Sequence, residues 1–178
     1  ADEPLPEGLI SSDLARAMQT ADPVARRRGL SLRTETGLRE QAFGVIDGLS
    51  VPEIQARYPE IWPRWKAFEP DFAPPGGESL RQFHDRVVLS LEDLRRRHAG
   101  QTLWIVTHGG VLDMVWRAAT GQPLQGPRQC VIPNAGINRV RAGDSGLEIV
   151  SWAETGHLAD LPAQPVYDQS RLSRPSAE

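Results

Sequence analysis

Apolar and polar positions along the chain predict strands and helices in succession. Short apolar runs at residues 9–12, 30–34 and 102–107 have the length and composition of strands. The first and the third lead directly into segments with helical spacing, at residues 13–21 and 111–118. Strands that alternate with helices are typical of a parallel sheet covered by helices, so the pattern predicts an α/β fold.

The longest amphipathic segment covers residues 79–98 and predicts a helix that packs on the sheet. Its apolar face repeats every three or four positions and contains Leu80, Phe83, Val87, Leu91 and Leu94. Further along, a polar turn at residues 143–146 separates apolar segments at 132–141 and 147–152. This arrangement predicts a β-hairpin near one edge of the sheet.

Residues 50–75 differ from the rest of the chain in their prolines and aromatic side chains. The aromatic residues are Trp62, Trp65, Phe68 and Phe72, and prolines interrupt the short helical pieces that carry them. We expect an insertion packed over one edge of a single domain. It forms either the lid or wall of a pocket or a satellite hydrophobic cluster under a long loop.

The run at residues 102–107 is bounded by glycines and predicts a central strand, buried on both faces. His108 stands where this strand passes into the following helix. Ligands of open α/β sheets collect at this edge, where the N–H groups of a helix favour an anion. The imidazole can therefore meet a phosphate or a carboxylate, or it can be a structural histidine bonded beneath a loop; this stretch alone leaves both open.

Two further charged residues lie where they could join such a site. Arg16 belongs to the first turn of the helix that follows the first strand, near that strand's carboxyl end, although most arginines in this position face solvent. Glu40 lies in a loop bracketed by Gly37 and Gly44 and is a candidate proton donor; the alternative is an ordinary loop carboxylate.

Composition limits the partners and the location. The 178 residues suffice for one domain, expected to span residues 1–178 with a flexible tail at about 160–178. The net charge is −3, and no apolar run is long enough to span a bilayer, so we expect no membrane partner. The lone Cys130 fits a reducing compartment, and we expect a cytoplasmic protein.

Almost all basic residues are arginines, with Lys66 the sole lysine. This bias suits oxyanion ligands, but a GC-rich genome produces it as well, and we favour the genomic explanation. The arginine clusters at 26–28 and 95–97 fall at the ends of helical segments, where cations complement the helix dipole. We therefore expect no nucleic-acid partner.

Four motifs in order resemble the histidine phosphatase superfamily, which includes the cofactor-dependent phosphoglycerate mutases. The motifs run through residues 11–21 (SSDLARAMQTA), 38–44 (LREQAFG), 76–79 (GGES) and 106–110 (VTHGG). The resemblance covers residues 9 to about 158. It implies a three-layer α/β/α sandwich with a mostly parallel central sheet and a phosphate pocket at the carboxyl edge of that sheet.

The resemblance also implies roles for individual residues. Arg16, His108 and Gly109 match the family's phosphate-binding positions, Glu40 its general acid, and His108 its second catalytic histidine. Candidate contacts around the pocket are Ser79, Glu78, Thr107 and Asn134. No metal and no cofactor are implied, because cationic side chains stabilise the transferring group and an acid protonates the leaving alkoxide.

One departure from the family pattern is serious. The family's nucleophile is a histidine in an Arg-His-Gly turn after the first strand, upstream of the first motif, and nothing before Leu9 supplies it. The sequence at 97–100 (RHAG) is no substitute, since it precedes a strand instead of following one. The first strand and helix of the fold are therefore expected to be missing, and we interpret the sequence as a truncated chain.

The intact protein is accordingly expected to hydrolyse small phosphate monoesters through a phosphohistidine intermediate, with the chain as given inactive. The His-Gly-Gly turn and the Gly-Gly-Glu-Ser loop resemble the phosphatases of the family more than its mutases. A mutase is the second candidate, and a non-catalytic phosphate-binding module the third. The partner is a small phosphorylated metabolite; the oligomeric state cannot be read from the sequence, and a homodimer is left open.

Overall fold

A computed structural model describes residues 5–162 of the chain. Its strands form two separate sheets. Three parallel strands, β1 (Gly8–Ser11), β2 (Leu32–Thr34) and β3 (Leu103–Val106), lie in the order β2-β1-β3. The antiparallel pair β4 (Ile137–Gly143) and β5 (Gly146–Glu154) makes the second sheet, which confirms the predicted hairpin. Most of the predicted tail, from residue 163 on, lies outside the described residues.

Five α-helices accompany these strands in the described residues. They are α1 (Ala15–Arg28), α2 (Val51–Arg57), α3 (Ile61–Lys66), α4 (Leu80–Arg97) and α5 (Gly109–Thr120). Helix α1 contacts all three parallel strands, whereas α4 and α5 share the core cluster that contains Ile10 of β1. The rest of that cluster is Leu38, Phe83, Val87, Leu94, Val111, Met114 and Val115. The predicted α/β/α architecture with a mostly parallel sheet is confirmed.

Strand β3 is an edge strand in this structure, so the prediction of a central strand is wrong for the described residues. Its only hydrogen-bonded neighbour among residues 5–162 is β1. Its other side borders a cleft of about 2210 Å³ that is also lined by β4 residues such as Val140. Ile105 is consequently 37% exposed. The apolar composition of β3 suits a strand with neighbours on both sides, and here one side is open.

Helix α1 extends beyond the apolar pattern that marks its start. That pattern covers residues 13–21, but the helix continues through Pro23 to Arg28, where the arginine cluster predicts a helix end, and is closed by Gly29 in the left-handed conformation. Burial of Ala21 and Ala25 against the sheet outweighs the hydrogen bond that proline cannot make. At the other end of α1, Leu14 occupies the cap position, and the Ser12 hydroxyl accepts the Leu14 N–H at 3.3 Å.

Helices α2 and α3 belong to the proline-rich segment and have a hydrophobic cluster of their own. Its buried members are Ile46, Ile54 and Ile61, and most of the segment's aromatic side chains pack against them. Trp65 and Phe68 also line the cleft. A role of this segment as a lid stays a prediction.

No helix among residues 5–162 is both long enough and apolar enough to cross a bilayer. Across the same residues, histidine, cysteine and acidic side chains do not gather in groups of three or more that could hold a metal ion.

Candidate active site

His108 lies at the amino end of α5, where it is the cap residue with an extended backbone. Its side chain is buried, with 7% exposure, and its Nε2 atom lies 2.8 Å from the Ser12 hydroxyl at the carboxyl end of β1. Because Ser12 already accepts the Leu14 N–H, its own proton can point at a neutral imidazole. The parallel pairing of β1 with β3 thus brings together residues 96 positions apart.

Glu40 reaches the same helix end from the loop after β2. One carboxylate oxygen, Oε2, accepts the Gly110 N–H at 3.0 Å, and Oε1 accepts the N–H of Gln41 at 2.9 Å. The Glu40 carboxylate can lie this close to residue 110 only because that residue is glycine and has no side chain. A Cβ atom on Gly110 would stand 2.0 Å from Glu40 Oε1.

Arg16 is exposed in the first turn of α1 and lines the same cleft as Glu40 and His108. It is close enough to act on His108 electrostatically. Burial lowers the pKa of His108 below its ordinary value of 6.5, and the positive charges of Arg16 and Arg86 lower it further, against the opposing charge of Glu40. The site therefore holds a neutral imidazole at neutral pH, among cations that favour an anion.

The four other predicted pocket residues are placed differently. Thr107 and Asn134 line the cleft, and the Thr107 hydroxyl donates to the Leu38 carbonyl at 2.9 Å. Ser79 caps α4 by accepting the Gln82 N–H at 3.1 Å, and Glu78 is paired with Arg86. In the described part of the chain neither Ser79 nor Glu78 lines the cleft, so their contact with a ligand stays a prediction.

Two residues that the sequence did not single out complete this arrangement. Ser12 lies in the motif at residues 11–21, and its hydroxyl contacts His108. Arg86 lies on α4 between Phe83 and Val87, and its guanidinium bonds to the backbone of the Glu40 loop. The sequence feature that could have pointed to Arg86 is its charge next to the apolar face of the amphipathic helix.

A buried ion pair secures α5 below the site. Asp113 and Arg117 are 6% and 4% exposed, and Arg117 Nε donates to Asp113 Oδ2 at 3.1 Å. Arg117 also donates to the carbonyls of Pro123 and Gly126, which ties the helix to the loop that follows it. Burial raises the pKa of Asp113, with Arg117 opposing that shift.

Comparison with known proteins gives a family match over most of the chain. The histidine phosphatase superfamily (branch 1) matches residues 2–155. The metal-independent phosphoserine phosphatase of Arabidopsis thaliana is 32% identical over 161 residues, which are 89% of this chain and 66% of that protein. The chain therefore spans just under two thirds of that relative's length.

Two other proteins show the same likeness. Phosphoserine phosphatase 1 of Hydrogenobacter thermophilus is 33% identical over 153 residues, covering 86% of this chain and 72% of that protein. Among solved structures, the native mycobacterial glucosyl-3-phosphoglycerate phosphatase superposes with a TM-score of 0.67 at 25% identity. That match covers 85% of this chain and 79% of the mycobacterial chain.

Proposed function

The chain belongs to the histidine phosphatase superfamily (branch 1), and from that membership we propose that the whole protein is a phosphatase of small phosphate monoesters. The single observation that carries the proposal is the meeting of three groups at the amino end of α5. These are the His108 imidazole, the Glu40 carboxylate and, at electrostatic range, the Arg16 guanidinium. The similar proteins named as phosphatases of phosphoserine and of glucosyl-3-phosphoglycerate support the same class of substrate.

Arg16, His108 and Gly109 bind the phosphoryl group in this proposal. The first turn of α5 offers backbone N–H groups and the positive end of the helix dipole, which favour an oxyanion. A bound phosphate dianion would raise the pKa of His108, because an adjacent negative charge favours the imidazolium. The positive charge of Arg16 and His108 then stabilises the equatorial oxygens of the transferring group, and no metal is needed.

Glu40 acts as the general acid. A histidine nitrogen attacks phosphorus, the bond between phosphorus and the ester oxygen breaks, and the departing alkoxide takes the Glu40 proton. Glu40, now ionised, accepts a proton from the water that attacks the phosphohistidine. That step releases inorganic phosphate and restores both the free histidine and the protonated acid.

These 178 residues contain no histidine at the position of the family's nucleophile. The three histidines besides His108 have other partners: His84 contacts Asp85, His98 contacts Gln101, and His157 contacts the Ala135 carbonyl. In the family the nucleophile follows a strand, and the open edge of β3 is where we expect such a strand to pair. We therefore expect the chain as given to bind phosphate without turnover.

The deciding experiment combines binding and catalysis. For residues 1–178, an NMR titration of the His108 ring with inorganic phosphate should move its pKa upward. For the product of the complete reading frame, intact mass is measured alongside hydrolysis of p-nitrophenyl phosphate and phosphoserine in the presence of EDTA. Phosphate binding together with turnover supports the phosphatase, whereas no phosphate binding in either form would refute it.

The other outcomes identify the second and third candidates. Phosphate binding without turnover, by a product whose mass equals that of these 178 residues, favours a phosphate-binding module. Interconversion of 2- and 3-phosphoglycerate that outpaces phosphate release favours a mutase. Glu40→Gln should lower phosphoserine turnover far more than phosphate affinity, and unchanged turnover would refute the role of Glu40 as acid.

Location and assembly are smaller parts of the proposal. The lone Cys130 supports a cytoplasmic location, where cysteines stay reduced. A homodimer is tested by size-exclusion chromatography with light scattering.

A further inference from the structure

Arg86 of α4 contacts the loop that carries Glu40 at several points. Its Nη1 donates to the carbonyls of Gly37 at 2.9 Å and Arg39 at 3.1 Å, and its Nη2 lies 3.4 Å from the carbonyl of Glu40 itself. These three carbonyls all lie within residues 37–40, on the loop that positions the carboxylate. A single side chain therefore fixes the backbone from which Glu40 extends.

Glu78 holds the other half of the Arg86 fork. Arg86 Nε donates to Glu78 Oε1 at 2.7 Å, and Nη2 donates to Glu78 Oε2 at 2.8 Å. With the three carbonyls, all five N–H groups of the guanidinium have an acceptor, which a lysine with three donors could not match. The pair is only partly exposed, at 26% for Arg86 and 23% for Glu78, so solvent screens it less than a surface ion pair.

Glu78 is itself bound to the far end of the loop. Its Oε2 accepts the Ala42 N–H at 3.1 Å, and the Glu78 N–H donates to the Ala42 carbonyl at 2.8 Å. Burial would raise the pKa of Glu78, but the hydrogen bonds from Arg86 and Ala42 and the charge of Arg86 lower it overall. The carboxylate is therefore ionised at neutral pH and available to hold Arg86 in place.

We propose that Arg86, held by Glu78, is a positioning residue for the general acid Glu40. The pair fixes the loop on both sides of Glu40, so that the carboxylate stays at the Gly110 N–H where a leaving group would depart. Arg86 also stacks on Phe83, 5.0 Å from the ring centroid, and Phe83 in turn packs near Gly110. The inference rests on the proposed function, because it assigns Glu40 the role of acid.

The kinetic test compares two leaving groups in the product of the complete reading frame. Arg86→Gln should lower kcat for phosphoserine by about 10- to 100-fold, a part of what a general acid contributes. The kcat for p-nitrophenyl phosphate should fall less than about threefold, because p-nitrophenolate leaves with little help from an acid. Arg86→Lys keeps the positive charge but lacks the planar guanidinium, and it should likewise lower phosphoserine turnover more than p-nitrophenyl phosphate turnover. This variant replaces Arg86→Gln in the test if Arg86→Gln fails to fold.

Arg95→Gln is the matched control. Arg95 lies on the same helix, is 29% exposed, and binds Glu92 through two bonds of 2.8 Å and Asp144 through one of 3.0 Å, none of them in the Glu40 loop. The Arg95→Gln substitution should leave kcat for both substrates unchanged. An equal fall on both substrates in the Arg86 variants would show a merely structural role and overturn the inference.

A second measurement does not need activity and separates this inference from the proposed function. Amide exchange at Gly110, whose N–H is bound by Glu40, should become about 5- to 10-fold faster in Arg86→Gln, which corresponds to the loss of one hydrogen bond. Exchange at wild-type rate would overturn the positioning role. Absence of hydrolysis by the wild-type protein would overturn the proposed function, while the exchange rate would still decide how the loop is held.

Discussion

Replacing Gly110 by alanine should separate catalysis from stability at this site. The added methyl carbon would lie 2.0 Å from Glu40 Oε1, 3.0 Å from its Cδ and 3.1 Å from Phe83 Cε1. The first distance is impossible, so the Glu40 side chain must rotate away and lose its bond to the Gly110 N–H. Gly109→Ala is the matched control, because the nearest atom to its methyl group is Arg128 Nη2 at an ordinary 3.5 Å.

The expected magnitudes follow from two opposing effects on stability and one effect on rate. Alanine favours a helix over glycine by about 0.5–1 kcal/mol, while the lost hydrogen bond to a carboxylate costs about 1.5 kcal/mol. The free energy of unfolding of Gly110→Ala should therefore change by less than about 1 kcal/mol. A displaced general acid should lower phosphoserine turnover by about 100-fold, the lower end of its usual contribution.

The assay uses urea unfolding for stability and two substrates for rate. Gly110→Ala should hydrolyse p-nitrophenyl phosphate within about fivefold of wild type, since that leaving group needs little protonation. Gly109→Ala should change both rates alike, because its methyl group does not meet Glu40. Wild-type turnover of phosphoserine by Gly110→Ala, or a loss confined to phosphoserine in Gly109→Ala, would refute the assignment of Glu40 as an acid seated on Gly110.

Three more predictions concern the surroundings of the site. Ser12→Ala removes the hydroxyl 2.8 Å from His108 Nε2 and should weaken inorganic phosphate binding about tenfold in calorimetry; unchanged affinity would argue against a positioning role for Ser12. Because burial and the Arg16 charge lower the pKa of His108, the unfolded chain takes up a proton at higher pH than the native one. The free energy of unfolding should thus fall as pH drops below 6.5, and less steeply in Arg16→Gln; urea titrations that show no such slope would contradict this. Asp113→Ala leaves the Arg117 guanidinium buried without its carboxylate and should destabilise the protein by about 3 kcal/mol in the same assay, whereas a loss below about 1 kcal/mol would mean that the carbonyls of the following loop suffice.

Local signals in the sequence predicted most of the elements that position the site. The four-residue strand β3 and the start of α5 follow from an apolar run that ends in His108 and two glycines. The start of α4 follows from Ser79, which caps it. These features depend on neighbouring residues only, so a single sequence contains the information needed to place them.

Contacts across long stretches of chain could not be predicted in the same way. The bond between Ser12 and His108 joins residues 96 positions apart, and Arg86 bonds to Gly37 across 49 positions. Each depends on how β1 pairs with β3 or on how α4 lies over the loop, which no local pattern specifies. The continuation of α1 through Pro23 depends on tertiary structure too, because burial of Ala25 overrides the helix-breaking tendency of proline.

The division into two sheets also determines how cooperatively the fold opens. Within residues 5–162, ladder hydrogen bonds do not join β3 to β4, and the hairpin is attached to the rest through its packing on α4 and α5. Side-chain packing of this kind can separate without breaking either ladder, so the hairpin and the parallel sheet are expected to behave as distinct foldons. Hydrogen exchange on residues 1–178 would then show two levels of protection, with the boundary along the cleft that Arg16 and His108 line.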